Sequence, residues 1–291
     1  MYILFDIGGT KTRIASTDDL QQIKDVRKFD TPAEYQIGMQ TIREAARELI
    51  GNEQPVAFAG GIRGPLNHEK TGITSDKKLH DWIGRNIVKD IGEAYGVPVY
   101  LENDTAIVGL GEVHFGAGKG YEIVAYHTVS TGVGGARFVQ GALDRTSMGF
   151  EPGHQVLDID RTILGQSVPP TLENLVSGNA LEKRRGVKPY EIPQGDHVWD
   201  QLAGYLAHGL KNTIVYWSPD VIVLGGSMII GNPRIFLKDI VRHTESVLDG
   251  LVPCPPIVDA ALKDEGGLYG AMALIKISLS NRIHGKSISL V

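Results

Sequence analysis

Cysteine is almost missing from this chain. Cys254 is the only one in 291 residues, so no internal disulfide can form. No apolar run approaches the length of a membrane span. No basic region precedes the first apolar residues, so the N-terminus reads as a strand and not as a secretory leader. Positive charge is scarce as well: 29 Lys and Arg against 34 Asp and Glu give a net charge of −5, which leaves no basic footprint for nucleic acid. Aromatic residues make up only 7% of the chain. Trp82, Trp199 and Trp217 are scattered, as core or rim residues are, and form no stacking platform. His68, His80, His114 and His127 lack metal-ligand spacing. These absences fit a cytoplasmic protein with no membrane and no nucleic acid among its partners.

Glycine, by contrast, is abundant, with 36 residues, many of them in GG or GxGG clusters. The first cluster lies in Phe5-Asp6-Ile7-Gly8-Gly9-Thr10-Lys11-Thr12, between apolar strands expected at 2–6 and 12–16. Adjacent glycines let backbone N–H groups approach a ligand, and successive N–H groups form an anion-binding concavity. Thr10 adds a hydroxyl, Lys11 a cation, and Asp6 a carboxylate suited to Mg²⁺ held through water. Alone, this run serves equally well as an ordinary hairpin.

The length allows two domains, and a hydrophobic fraction of 42% supplies a full core. Strands are also expected at 56–59 and 97–101, with helices at 33–50, 86–95 and 105–113, the last capped with help from Asp104. The second half begins in the same way. Strands at 122–129 and 136–140 flank Ser130-Thr131-Gly132-Val133-Gly134-Gly135, echoing the N-terminal unit as a duplication of fold. A long helix at 198–217, a strand at 221–224, a helix from Pro233 to about Leu248, a strand at 257–262 and a helix at 268–279 follow. The segment 153–172 reads as irregular, and the tail after Ser280 as exposed. Two α/β halves with glycine turns imply a ligand cleft between domains.

Taken together, these turns resemble the sugar-kinase branch of the actin-like ATPases, and more narrowly the ROK family (repressors, open reading frames and kinases). The carriers are Asp6-Ile7-Gly8-Gly9-Thr10-Lys11, Glu102-Asn103-Asp104, Gly111-Glu112 with Gly116-Ala117-Gly118, the Ser130–Gly135 turn, Glu151-Pro152-Gly153-His154, Leu224-Gly225-Gly226-Ser227 and Gly267-Leu268-Tyr269-Gly270-Ala271. They cover most of the chain, in the family's order. The resemblance implies an α/β fold of two actin-like, ribonuclease H-like domains with an active-site cleft between them. The first would be 1–105 plus 268–281, and the second 106–267.

The resemblance also implies roles. Asp6, Gly8, Gly9, Thr10 and Lys11 match the first phosphate loop, Thr131, Gly132 and Gly134 the second, and Gly225 and Gly226 the adenosine loop. Asp104 matches the family's catalytic base. From its own sequence position a helix-capping Asp is the favoured reading; the resemblance reverses it. Asn103, Asp104, Glu151, His154 and Glu173 match sugar-binding residues, Glu173 more loosely than the others and nearly as well read as a solvated helix-start carboxylate. The implied activity is phosphorylation of a hexose at its primary 6-hydroxyl by ATP with Mg²⁺, the latter near Asp6, in a homodimer. Glucose is the default; N-acetylmannosamine, N-acetylglucosamine and other hexoses stay open. A sugar-sensing protein without catalysis is the alternative. A sugar-responsive repressor fits poorly, because such proteins carry a DNA-binding helix-turn-helix before the strand with which this chain begins.

Two departures from the family pattern stand out. Many members follow the His with cysteines that complete a zinc site. Here 155–172 holds none, and Asp158 and Asp160 beside His154 make a poor ligand set. No structural zinc is expected, and the loop 156–170 must then be held by packing alone. Arg63 stands where proline is usual, and reads as a surface residue slightly more readily than as an anion contact. Ser75-Asp76-Lys77-Lys78 replaces a stretch that often carries Asn and borders the sugar pocket.

Overall fold

The computed structural model describes residues 1–146 and 149–283. They fall into two compact units. The first comprises Met1–His114 together with the chain from Asp264 onward; the second is Phe115–Lys263.

The first unit opens with β1 (Tyr2–Ile7) and β2 (Lys11–Thr17), antiparallel and joined by the glycine turn. The strand β3 (Asp25–Asp30) adds to β2 at the edge. Helix α1 (Tyr35–Ile50) buries Met39, Ile42 and Ala46, in the period of an amphipathic helix. β4 (Phe58–Ile62) pairs parallel with β1. It contains Gly60 and Gly61, where a Cβ would lie 2.1 Å from the Phe5 carbonyl and 2.5 Å from Ile107. Side chains there would prevent the close approach of neighbouring backbone. Helix α2 (Ile87–Tyr95) is capped by Asn86, whose side chain accepts from Lys89 N–H. β5 (Val99–Asn103) pairs parallel with β4, and α3 (Asp104–Phe115) follows it without a gap. The sheet order is β3-β2-β1-β4-β5. Trp82 is fully buried beneath α1, its indole N–H donating to the Pro32 carbonyl at 3.1 Å.

The second unit repeats this plan. β6 (Ile123–Val129), β7 (Val133–Val139) and β8 (Ala142–Leu143) form an antiparallel meander. Helices α4 (Leu172–Val176), α5 (Gly178–Arg185) and the long α6 (Val198–Trp217) come next. Then β9 (Val221–Gly225) pairs parallel with β6. The short α7 (Ser227–Ile230) and α8 (Leu237–Leu248) lead to β10 (Ile257–Asp259), parallel to β9. The order β10-β9-β6-β7-β8, read from its β8 end, is that of the first sheet, strand for strand. Leu202, Leu206, Leu210 and Ile214 of α6 lie in its core. The helix expected from Pro233 begins only at Leu237. Gln194 holds the intervening chain by accepting from Arg234 N–H and donating to its carbonyl, at 2.7 and 2.8 Å. The strand expected at 257–262 ends at Asp259.

The chain then returns to the first unit. Helix α9 (Gly266–Ile283) packs on β1 and β4. Gly270 faces α3 so closely that a Cβ would lie 1.8 Å from the Ile107 carbonyl. Residues 284–291, most of the tail expected to be exposed, lie outside the described residues. Among the described residues no helix is long and apolar enough to cross a membrane.

Candidate active site

In the first unit the parallel strands β1, β4 and β5 run in register, with Asp6 opposite Gly61, Gly61 opposite Glu102 and Ile62 opposite Asn103. Their carboxyl ends therefore lie side by side, where open α/β sheets bind ligands. Asp6, Arg63, Asn103 and Asp104 gather there.

The turn after β1 is closed by Gly8 N–H donating to the Lys11 carbonyl at 3.0 Å and by Thr31 Oγ1 donating to the Gly8 carbonyl at 2.8 Å. Among the described residues, the N–H groups of Gly9 and Thr10 donate to no acceptor. A chain normally pairs such donors or leaves them to water or a ligand, so the turn keeps the donor set that a phosphate requires. Gly9 is hemmed in: a Cβ there would stand 2.9 Å from Cδ of Arg63 and 3.0 Å from Cδ of Lys78. Lys11 points elsewhere and pairs with Asp30 on the exposed edge strand β3. The cations beside the turn are instead Arg63, Lys78 and Arg13.

Asp6 accepts from Arg13 at 3.3 Å and abuts Gly267 of α9, where a Cβ would lie 2.9 Å from its Cγ. Burial pushes its carboxyl up, against the pull of Arg13. Asn103 does the capping expected of Asp104: its Oδ1 accepts from Thr105 and Ala106 N–H at 3.0 and 3.3 Å, while its Nδ2 donates to the Gly64 carbonyl at 3.0 Å. Asp104 is thereby relieved of most of that task; among the described residues it accepts only from Thr105 N–H, through Oδ1 at 2.8 Å. Burial and the charge of Asp6 push the Asp104 carboxyl up to about 6, against the opposing pull of Thr105 N–H and Arg63. Glu102, one residue before Asn103, is tied to Lys70.

In the second unit the β6–β7 turn holds Thr131 and Gly132, while Gly134 lies within β7. Glu173, near the start of α4, accepts from Val133 N–H through Oε2 at 2.9 Å, and a Cβ on Gly132 would lie 2.7 Å from that oxygen. Gly225 ends β9 and Gly226 precedes α7; Ser227 of α7 meets Ser130, hydroxyl to hydroxyl, at 3.0 Å. Glu151 precedes a single 3-10 turn, Pro152–His154, and His154 ends it, with 3.9 Å between Oε2 and Nε2. Their side chains are 60% and 65% exposed. Burial pushes the Glu151 carboxyl up, with His154 opposing and Glu173 adding to it. The unit thus brings together Gly132, the Glu151–His154 pair and Glu173 from three separate stretches of the sequence.

The loop 156–170 is not held by packing alone. Asp158 is buried, and its carboxylate accepts from Thr162, Ile163 and Leu164 N–H, the closest at 2.7 Å. Burial pushes this group up, but those N–H donors outweigh it and hold it below the usual carboxylate range. Arg161 adds a bond to the Val168 carbonyl at 2.7 Å. Arg63 departs from its surface reading in the same way. It is half-buried, with Nε on Asp76 Oδ2 at 2.6 Å. Among the described residues no three His, Cys, Asp or Glu side chains converge as a metal site would require. His127 is fully buried, within reach of the Thr213 hydroxyl at 3.0 Å.

Residues 2–277 match the profile of the ROK family. A fructokinase of Lactococcus lactis subsp. cremoris is 27% identical over 90% of this chain and 90% of its own. The fold is shared with a ROK hexokinase from Thermus thermophilus, at a TM-score of 0.83 and 28% identity, over 96% of this chain and 99% of that one. It is shared also with a ROK family glucokinase from Streptomyces griseus solved with glucose and AMPPNP, at 0.75 and 25%, over 94% and 98%. A family match across nearly the whole length, on an α/β fold of two five-stranded mixed sheets common to these enzymes, establishes that the chain belongs to the ROK family.

Proposed function

We propose that this protein is an ATP-dependent hexose kinase that transfers the γ-phosphoryl group to the primary 6-hydroxyl of its sugar. The observation that carries the reading is a juxtaposition in the first unit. The unengaged N–H groups of Gly9 and Thr10 follow β1 and the raised carboxyl of Asp104 follows β5, at the same end of one sheet with only β4 between those strands. A sugar hydroxyl is a poor nucleophile and needs a base within hydrogen-bond reach. Asp104 takes its proton as the oxygen attacks phosphorus; the bond from the γ-phosphorus to the bridging oxygen breaks, and ADP leaves. Most of the remaining catalysis is positioning and stabilisation of charge. The glycine turn holds the phosphates. Asp6, a hard oxygen donor beside Asp104, suits a water-bridged Mg²⁺, which when bound neutralises phosphate charge.

Thr131, Gly132, Gly134, Gly225 and Gly226 contact the nucleotide. Asn103, Glu151, His154 and Glu173 orient the sugar, each through the hydrogen-bonding capacity its internal bonds leave over. The relatives support a sugar as acceptor, and their names include both glucokinase and fructokinase, so glucose and fructose head the panel to be tested. The test is an ATP-coupled assay over hexoses and N-acetylhexosamines with the unchanged protein and Asp104→Ala. Turnover of at least one hexose is expected, with a loss of about 10²-fold or more in the variant and sugar binding partly retained. Equal loss of binding and turnover would remove the assigned role, and no turnover with any sugar would favour a sugar-binding protein.

A further inference from the structure

The two places where this chain leaves its family's pattern, at Arg63 and at Asp76-Lys77-Lys78, meet in space over the first glycine turn. Arg63 is the first residue beyond β4, and its N–H donates to the Ile7 carbonyl at 3.0 Å, which fixes its backbone beside the end of β1. Its side chain runs past Gly9. Asp76, whose side chain is only 5% exposed, accepts from Arg63 Nε through Oδ2 at 2.6 Å. Through Oδ1 it accepts from the N–H groups of Lys78 and Leu79 at 2.6 and 2.9 Å. One carboxylate thus sets the guanidinium of Arg63 and the backbone of Lys78 together. Lys78 reaches back to the turn, its Nζ donating to Thr10 Oγ1 at 3.1 Å.

Most of the donor capacity of both cations is left over. Arginine carries five N–H donors and lysine three. Among the described residues Arg63 uses only Nε, and Lys78 makes a single side-chain bond. One Nε–carboxylate bond suffices to pair the buried Asp76, and the exposed contact of Lys78 with Thr10 contributes little to stability, so stability does not account for the donors that both cations leave unused beside the glycine turn. A planar guanidinium fork and an ammonium on a flexible stem are instead what recognition of phosphate oxygens uses.

We infer that Arg63 and Lys78 bind the phosphoryl group in transfer, completing with Gly9 and Thr10 an anion site of the first unit, and that Asp76 is their positioning residue. The inference rests on the kinase reading for the identity of the anion and on the geometry of the first unit for the site. Arg63 and Lys78 withdraw charge from the equatorial oxygens while Asp104 accepts the proton. The Lys78–Thr10 contact is the resting position, released when phosphate oxygens take its place.

The test uses the full chain and two readouts. Calorimetric binding of tripolyphosphate with magnesium, without sugar, reports the anion site independently of catalysis. Lys78→Met and Arg63→Met are each expected to weaken it about tenfold or more, and Lys78→Arg to recover most of the loss. Lys78 is exposed, so Lys78→Met should keep the ligand-free melting temperature even if Arg63→Met does not. With a phosphorylated sugar in hand, both variants should lower kcat more than they raise KM for the sugar. Binding within twofold of the unchanged protein in both Met variants overturns the inference. If sugar is phosphorylated and the variants keep kcat, the inference fails and the kinase reading stands. If the variants lose tripolyphosphate while no sugar is phosphorylated by the unchanged protein, the anion site stands and the kinase reading fails.

Discussion

At the scale of single residues, Asp104 shows how a strand end is turned into a candidate base. Asn103 takes over the capping of α3, which leaves the next carboxylate largely unengaged at the helix start. Burial and Asp6 then lift its pKa to about 6, close to where a general base works best near neutral pH. The sign of the pH dependence follows. The base must be unprotonated, so kcat/KM should be level above about pH 6 and fall about tenfold per unit below it, as the carboxylate of the free protein takes up its proton. Arg63 pulls this pKa down, so Arg63→Met should move the acid limb to higher pH. A pH–rate profile of both proteins checks this, and a limb that remains near pH 4 would remove the raised carboxyl from the mechanism. Asp104 itself was legible in the sequence only through the Asn103-Asp104 motif. Lys78 was not, because nothing in Ser75-Asp76-Lys77-Lys78 announces that Asp76 will bend the chain back toward Thr10.

Among the elements, those with a strong apolar pattern were readable and the edge was not. The helices α1, α2 and α6 follow the spacing of their buried residues. The strand β3 has none to follow: five of its six residues, in the run Asp25 to Asp30, are exposed. It exists because β2 offers it a hydrogen-bonding edge, an interaction that leaves no mark on side-chain pattern. β4 was legible only at its start, since the strand expected at 56–59 stops short of Gly60 and Gly61, which are strand residues pressed beneath Phe5 and Ile107. The loop 156–170 was read as lacking any internal tie, and Asp158 supplies one. Replacing that residue by Ala strips three N–H groups of their acceptor and should lower the stability of the second unit by about 1–3 kcal/mol. A chelator should leave the melting temperature of the unchanged protein where it is, because the loop is proposed to need no zinc. Denaturant titration of both proteins, with and without chelator, separates the two effects, and a chelator-induced drop would count against the assignment.

Across the whole molecule, the echo between the two glycine turns anticipates a correspondence that reaches every strand: both sheets have the same order and the same senses of pairing. The two units differ in how the chain completes them. The second is continuous, Phe115–Lys263, whereas the first needs α9, which the chain reaches only after the second is finished. Cutting the chain after Lys263 should therefore leave the second unit protease-resistant and the first digestible, with β1 and β4 stripped of the helix that covers them; limited proteolysis with mass spectrometry reads this directly. The same arrangement has a consequence during biosynthesis. On the ribosome the segment carrying Gly9 and Asp104 emerges first but is closed last, when Gly267 and Gly270 arrive to seat α9 against Asp6 and Ile107. A nascent chain thus has the proposed catalytic carboxylate in place only once nearly all of it has been translated, and a prematurely terminated product has no route to phosphoryl transfer.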